Sequence, residues 1–308
     1  MSTAGEPPTV ADPARAISEG PPNNPVLEGA DGLDREFIAK AGRTVFRFLH
    51  DFYWRVEVRG LEHIPRQGPV MLTGLHRNIV PFDAMMVLHG VAAGTGRVPR
   101  FLIHPALLRF KTIGSIITKL GGVVACRENA DWVLEQGRVL GMFPEGVRGA
   151  FAPYRETYRL HSFGRHDYIS LALKHRAPVL PFVTVGSAET YPVWKLLPWK
   201  WWQEFSGWPG LPITPTFPFL PPVPLPSKWH TVFMEPMHFE REYPPEAARD
   251  RKLVRRLSEQ VQEVLLAAML DIKNRRKSIF WGNVFDQGVP SSRRDSSPGE
   301  SGSSEETS

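Results

Sequence analysis

Apolar residues recur at three- and four-residue steps through Leu33, Phe37, Ala41, Val45, Phe48, Leu49 and Phe52, which predicts a helix over 33–53. Its other face carries Arg35, Lys40, Arg43 and Arg47. Val56-Glu57-Val58 alternates as a short strand does, and the Gly- and Pro-marked stretch 60–69 predicts turns. Val70 to Thr73 is an apolar strand that leads into His76. Beyond it, helix-like and strand-like pieces alternate. Helices are predicted over 83–89, 105–120, 129–135 and 168–175, and strands over 121–125, 138–143 and 178–185. This alternation predicts an α/β fold, a sheet layered by helices.

From 192 to 230 the texture changes to Pro, Trp and Leu, with Trp194, Trp199, Trp201, Trp202 and Trp208 close together. So many prolines forbid a long regular element, and an irregular wrap on the core is expected. The competing expectation is a lipid-facing surface, because Trp favours membrane interfaces. Trp229 to Phe233 predicts a return strand. A closing amphipathic helix is expected over 246–277, striped by Leu253, Leu257, Val261, Val264, Leu265, Ala268 and Met269. The domain is expected to span 32–283, with a motif core at 70–192. Residues 1–31 lack periodicity and read as a disordered leader, and the Ser-rich stretch 284–308 as a disordered tail.

Composition narrows the function. Hydrophobic residues make up 42% of the 308, enough for a sizeable core. A single Cys excludes a disulfide framework and any multi-thiolate metal site. The net charge of +5 is mild for a nucleic-acid binder and suits an anionic small molecule or membrane surface. Between Arg249 and Lys277 nine basic residues face four acidic ones, a surplus as large as that of the whole chain. Either a solvated helix face or contact with anionic lipid accounts for it. No apolar run reaches the ~18 residues of a spanning helix, and no basic stretch leads into an apolar region after Met1. Neither a signal peptide nor a transmembrane helix is expected. The predicted location is the cytoplasmic face of a membrane, in peripheral contact.

Four local patterns carry candidate chemistry. The first runs from Gly74-Leu75-His76 to Asp83, a His after a strand with an Asp seven positions on. Loops beyond strand ends are where α/β proteins place their sites. An imidazole can take a proton from an alcohol, and a carboxylate on its second nitrogen fixes the tautomer. Taken alone, a His near an Asp is more often structural. The second is Phe143-Pro144-Glu145-Gly146-Val147-Arg148, where an Arg fork can grip phosphate or carboxylate and Glu145 can bond a hydroxyl or orient that Arg. The third is Gly122 to Arg127, another Arg after a strand, and the fourth is Val179-Leu180-Pro181-Phe182, read as core lining. Cys126 reads as a small buried hydrophobe. The glycines form no dinucleotide fingerprint, and Gly186-Ser187-Ala188 is no nucleophile elbow.

These four patterns, in this order, resemble the boxes of the glycerolipid acyltransferase superfamily, which includes the bacterial 1-acylglycerol-3-phosphate acyltransferases. The Phe-Pro-Glu-Gly-x-Arg box is complete at 143–148. Stretches from Arg148 to Pro192 and from Pro224 to Trp229 are similar to a bacterial and plastid branch related to mono- and diacylglycerol acyltransferase-like proteins. The resemblance implies a layered glycerol-3-phosphate acyltransferase-like fold with a central, mostly parallel or mixed sheet flanked by helices. It implies acyl transfer from acyl-CoA or acyl carrier protein, as co-substrate, to a lipid hydroxyl. His76 would be the general base and Asp83 its support. Arg148 and Arg127 would hold a phosphate or polar head, located by Glu145 and Gly146, while Arg165 and Pro181 would line the site. No metal or resident cofactor is implied, and no nucleic-acid partner. The chain departs from the pattern in two ways. Six residues separate His76 from Asp83 where the best-known members have four, so a loop must bring the Asp back. Arg77 and Asn78 stand where small residues usually follow the His, which bears on the acceptor and on activity itself. The alternatives are a lipid-binding protein of the same fold with altered catalysis, or a hydrolase of acyl esters or thioesters.

Overall fold

The computed structural model describes residues 32–159, 163, 166–218 and 223–285. The expected leader at 1–31, Arg165 and residues 286–308 of the expected tail lie outside the described residues; the first two residues of that tail, Val284 and Phe285, belong to the folded core instead, because their side chains pack against it. Helix α1 (Arg35–Ala41) starts on an Asp34 cap that accepts from the Phe37 N–H at 2.8 Å, then continues in wider π turns through Gly42–Phe46 and Phe48–Tyr53. The helix expected over 33–53 is therefore present, but its buried face is not the expected stripe. Ile38 and Phe46 are buried, whereas Val45, Phe48 and Phe52 lie exposed.

Strands β1 (Glu57–Arg59), β2 (Val70–Gly74), β3 (Arg100–Ile103), β4 (Val123–Val124), β5 (Val139–Met142), β6 (Val179–Val185) and β9 (His230–Phe233) form one sheet in the order β1-β9-β6-β2-β5-β3-β4. The strands from β6 to β4 run parallel, and β9 is antiparallel to β6. The sheet is thus mixed and mostly parallel, flanked by helices, as expected. Strand β3 is absent from the sequence reading. It opens on a buried Arg100, and a charge at its start shortens the apolar run to Phe101-Leu102-Ile103.

The helices are α2 (Phe82–Thr95), α3 (Pro105–Leu108), α4 (Lys111–Lys119), α5 (Arg127–Glu135), α6 (Val147–Ala150), α7 (Asp167–Lys174), α8 (Lys200–Ser206), α9 (Phe239–Glu242) and α10 (Arg251–Arg275). The single helix expected over 105–120 is two, because Phe110 is extended at φ −89° and ψ 107°. The 192–230 stretch does contain regular elements, all short: β7 (Lys195–Leu197) and β8 (Leu211–Ile213) form a two-stranded ribbon, with α8 between them. Helix α10 begins on Asp250, which caps the Lys252 and Leu253 N–H groups, and buries Val254, Leu257, Val261, Leu265, Met269 and Ile272. Its basic surplus is not all surface. Arg276, just beyond its end, is buried against Glu189, an ion pair at 2.5 Å.

Side-chain alternation sorts the core onto the two sheet faces. Met71, Leu140, Val179 and Val183 pack with α5, α7 and α10, while Leu72, Val139, Leu180 and Phe182 pack with α2 and the N-terminal helix. The connection from β2 to β3 therefore crosses one face, through α2, and that from β5 to β6 crosses the other, through α7. Because β2 and β5 are neighbours, a crevice opens between their carboxyl ends, the position where ligands bind in open α/β sheets.

Packing at the far edge makes one prediction. His230 is fully buried in β9 beside Phe285. Burial, and after it the Lys228 and Arg276 charges, push its pKa down from 6.5 to about 4. The folded value lies below the unfolded one, so this group's contribution is full above pH 6.5 and is lost as pH falls toward 4. The urea midpoint should fall across that window, and a His230→Gln variant should show a shallower fall.

Candidate active site

The site forms where the loops after β2, β5 and β6 meet. Gly74 ends β2, and a Cβ there would stand 2.3 Å from the Phe182 ring, so only glycine lets that ring slide under the strand end. Phe143, the first residue after β5, lies between Phe101 and Phe182 with ring centroids 5.7 Å from each. The His76 ring stacks on Phe143 at 4.6 Å with 17° between planes. Apolar platforms of this kind limit the ring's rotation and keep bulk water from one of its faces.

His76 Nδ1 lies 2.8 Å from Asp83 Oδ2. The seven-residue step is closed by the loop 75–81, which turns back so that Asp83 enters the first turn of α2. Asp83 is buried, and its carboxylate also accepts from the Arg77 N–H at 3.2 Å and the Ala84 N–H at 2.9 Å. The helix N-terminus favours that negative charge. A carboxylate accepting at Nδ1 makes that nitrogen the N–H and leaves a lone pair on Nε2. The His76 side chain keeps 16% of its surface exposed, and Nε2 has no hydrogen-bond partner among the described residues. The arrangement can accept a proton at Nε2 and stabilise the imidazolium that results.

The two bulky residues after His76 turn inward. Arg77 is buried and donates through Nε to Thr157 O at 2.7 Å, through Nη1 to His76 O at 2.9 Å and to Glu145 Oε2, and through Nη2 to Glu145 Oε1 at 3.0 Å and Arg159 O at 3.3 Å. Asn78 is buried as well, donating to Ser187 O at 3.2 Å and accepting from the Val80 N–H. The two side chains thus tie the loop after β2 to the loops after β5 and β6. Both side chains are buried and hydrogen-bonded within the protein.

The structure brings Glu145, Gly146 and Arg148 beside this pair. Gly146 takes φ +55° and ψ −142°, a backbone open to glycine, and starts the short α6. Glu145 is buried, with both oxygens on Arg77, so its carboxylate is committed to the protein interior. Arg148 is exposed, with no hydrogen-bond or ion-pair partner among the described residues. Gly149 packs so tightly that a Cβ there would lie 2.7 Å from His76 O. Arg148 is thus one residue in the chain from the point where α6 meets the His76 main chain.

Arg127 and Pro181 are not brought in. Arg127 opens α5 beyond the edge strand β4, three strands from β2, about 14 Å across the sheet by strand spacing. Its nearest carboxylate is Asp131 at 3.9 Å. Pro181 is buried within β6 opposite Thr73, and alternation points its ring to the α7–α10 face, away from His76. The aromatic platform and the Arg77 fork are absent from the sequence reading. Gly74 and Gly149 were the visible signals of close approach. Among the described residues no group of three or more His, Cys, Asp or Glu could hold a metal ion.

Comparison with known proteins bears on this geometry. The sequence pattern of the family described as Acyltransferase matches residues 55–185, the span that holds His76, Asp83 and the 143–148 box. An uncharacterized protein of Mycobacterium tuberculosis is 34% identical over 256 residues, covering 82% of this chain and 71% of its own. A Bos taurus protein described as a DGAT1/2-independent enzyme synthesizing storage lipids is 22% identical over 236 residues, 74% of this chain and 68% of its own. The crystal structure of the 1-acyl-sn-glycerophosphate acyltransferase PlsC from Thermotoga maritima aligns with a TM-score of 0.49 at 22% identity, over 78% of this chain and 80% of that one.

The tight approach at α6 gives a test. Gly149→Ala forces the His76 carbonyl and Glu145 apart, and overpacking of this kind costs about 1–3 kcal/mol. The loss should appear as a lower urea midpoint at unchanged slope.

Proposed function

The chain belongs to the Acyltransferase family, and within it we propose that the protein moves a fatty acyl group from acyl-CoA or acyl carrier protein to a hydroxyl of a glycerolipid or lysophospholipid. The observation that carries this reading is the His76 ring held at Nδ1 by buried Asp83, with Nε2 left open on the crevice. In the reaction Nε2 takes the proton of the acceptor hydroxyl. The oxygen attacks the thioester carbonyl and a tetrahedral oxyanion forms. Its collapse breaks the carbon–sulfur bond, and the proton on His76 passes to the departing thiolate. Asp83 stabilises the imidazolium between these steps and stays ionised. Arg148, exposed and adjacent in the chain to Gly149, supplies a fork for the phosphate or polar head of a substrate. Inward-turned Arg77 and Asn78 leave the open edge of His76 unobstructed, which favours chemistry over a protein that only binds lipid.

Peripheral membrane contact belongs to the same reading. No described helix is long and apolar enough to cross a membrane. Phe110, Ile113 and Ile116 on α3–α4 and Trp199, Trp201 and Phe205 on α8 form an exposed apolar surface, with Phe110 and Phe205 rings 6.1 Å apart. Exposed Lys111 and Lys200 are chain neighbours of Phe110 and Trp201. The α8 unit reaches the site through Trp208, whose ring lies 5.1 Å from that of Phe151 at the end of α6. An aromatic surface with a basic border suits an anionic bilayer.

Thiol release from long-chain acyl-CoA, with glycerol-3-phosphate, lysophospholipids, monoacylglycerol, diacylglycerol and a long-chain alcohol as acceptors, tests the activity. Release should depend on one acceptor class and fall about 10²–10⁴-fold in His76→Ala. Release into water without acceptor would place the protein among hydrolases, and silence with both CoA and carrier-protein donors would overturn the enzyme reading. For the membrane contact, co-sedimentation with anionic phospholipid vesicles should be lost in Trp201→Glu/Phe205→Glu. Equal binding by that variant would exclude this surface.

A further inference from the structure

Arg77 meets both ends of the His76–Asp83 pair without reaching the crevice. Its main-chain N–H donates to the Asp83 oxygen that faces His76, and its guanidinium donates to the carbonyl of His76 itself. The other donors go to Glu145 and to the carbonyls of Thr157 and Arg159, so all five guanidinium N–H groups have acceptors. Glu145 belongs to the loop that also supplies Phe143, the ring under His76, and Gly149, the close neighbour of the His76 carbonyl. One side chain therefore joins the main chain of the histidine to the loop that supports its ring.

We propose that Arg77, bridged to Glu145, is the positioning residue of the reaction: it fixes the His76 main chain against the 143–149 loop, so that Nε2 is presented at one angle. The proposal rests on the reading of His76 as general base and assigns Glu145 to Arg77 in place of the substrate. The physical basis is leverage. The imidazole hangs from Cα by two rotatable bonds, so a small rotation of the peptide displaces Nε2 by about 1 Å, a misplacement worth on the order of a hundredfold in rate. Lysine cannot replace the fork, because it is a point charge with three donors and spans fewer acceptors.

Single substitutions leave one buried charge alone and are expected to lower the melting temperature. The informative protein is the uncharged double variant Arg77→Met/Glu145→Met, compared with wild type, Arg77→Lys and His76→Ala. Three quantities are read: melting temperature, kcat and KM for acyl-CoA with the acceptor found, and the ¹⁵N spectrum of labelled histidine, with His76 assigned by its loss in His76→Ala. The double variant should recover the wild-type melting temperature while kcat stays about a hundredfold down and KM is unchanged. Its His76 signal should change from the fixed Nδ1–H tautomer of wild type to an average of both. Arg77→Lys should not rescue kcat. A double variant with wild-type kcat and an unchanged His76 spectrum would overturn the proposal and leave Arg77 a purely structural ion pair. If the double variant does not recover its melting temperature, a folded Arg77→Lys with wild-type kcat and spectrum overturns it equally. If His76→Ala keeps full activity, the general-base reading fails instead. The His76 spectrum then decides the positioning claim by itself, a fixed tautomer in wild type that is lost in the double variant upholding it and no change refuting it.

Discussion

Two parallel strands lying side by side, β2 and β5, release the chain toward opposite faces of the sheet, and the site depends on that divergence. A crossover that packs back onto its sheet must cover one face. The helix after β2 covers one and the helices after β5 cover the other. The two loops that leave these strand ends, 75–81 and 143–146, meet beyond them. The crevice is thus a consequence of strand order. His76 enters it from one strand and the Phe-Pro-Glu-Gly-Val-Arg loop from the next.

Loops beyond strand ends lack ladder partners, so other interactions must hold them. Here buried charges do so. Arg77 with Glu145 joins the loops after β2 and β5. Arg276 with Glu189 joins the end of α10 to the loop after β6, where Tyr158 also donates to Glu189 at 2.7 Å. Burial, with the Glu189 charge beside it, holds the Tyr158 hydroxyl well above its ordinary pKa and keeps it a donor. Ion pairs taken out of water add little net stability, because desolvation offsets attraction. Their geometry is demanding, however, and a planar fork with five acceptors admits one arrangement of the loops around it. These pairs are therefore better understood as fixing the positions of the loops than as strengthening the fold.

The surface around the crevice suits the chemistry proposed for it. A hydroxyl on a lipid is presented at a bilayer interface, and a site that uses one must come to that interface. The aromatic face of α3–α4 and α8 flanks the carboxyl edge of the sheet and is linked to α6 through Trp208 and Phe151. It is built from short elements: extended Phe110 separates α3 from α4, and the prolines between 192 and 230 keep α8 short. Short elements at an edge leave their large side chains without a core to enter.

The local elements and the roster of candidate residues were legible in the chain itself. Apolar runs marked β2, β5, β6 and β9, helical periodicity marked α5, α7 and α10, and the 143–148 box stood out by its resemblance to a family pattern. These are local signals, carried by residues near one another in the chain. Which of these candidates meet depends on the assembled fold. Arg77 and Asn78, whose effect on the acceptor was open, turn inward because carboxylate and carbonyl partners more than sixty residues away wait for them. Glu145 is consumed by that pairing, while Arg127 and Pro181 fall on other parts of the sheet. The N-terminal helix buries Phe46 where the spacing favoured Val45, because its π turns shift the face that meets the core. Periodicity reports which residues are apolar and how the chain repeats. The direction of a side chain depends on strand order and crossover face, and these are properties of the assembled sheet that no local window contains.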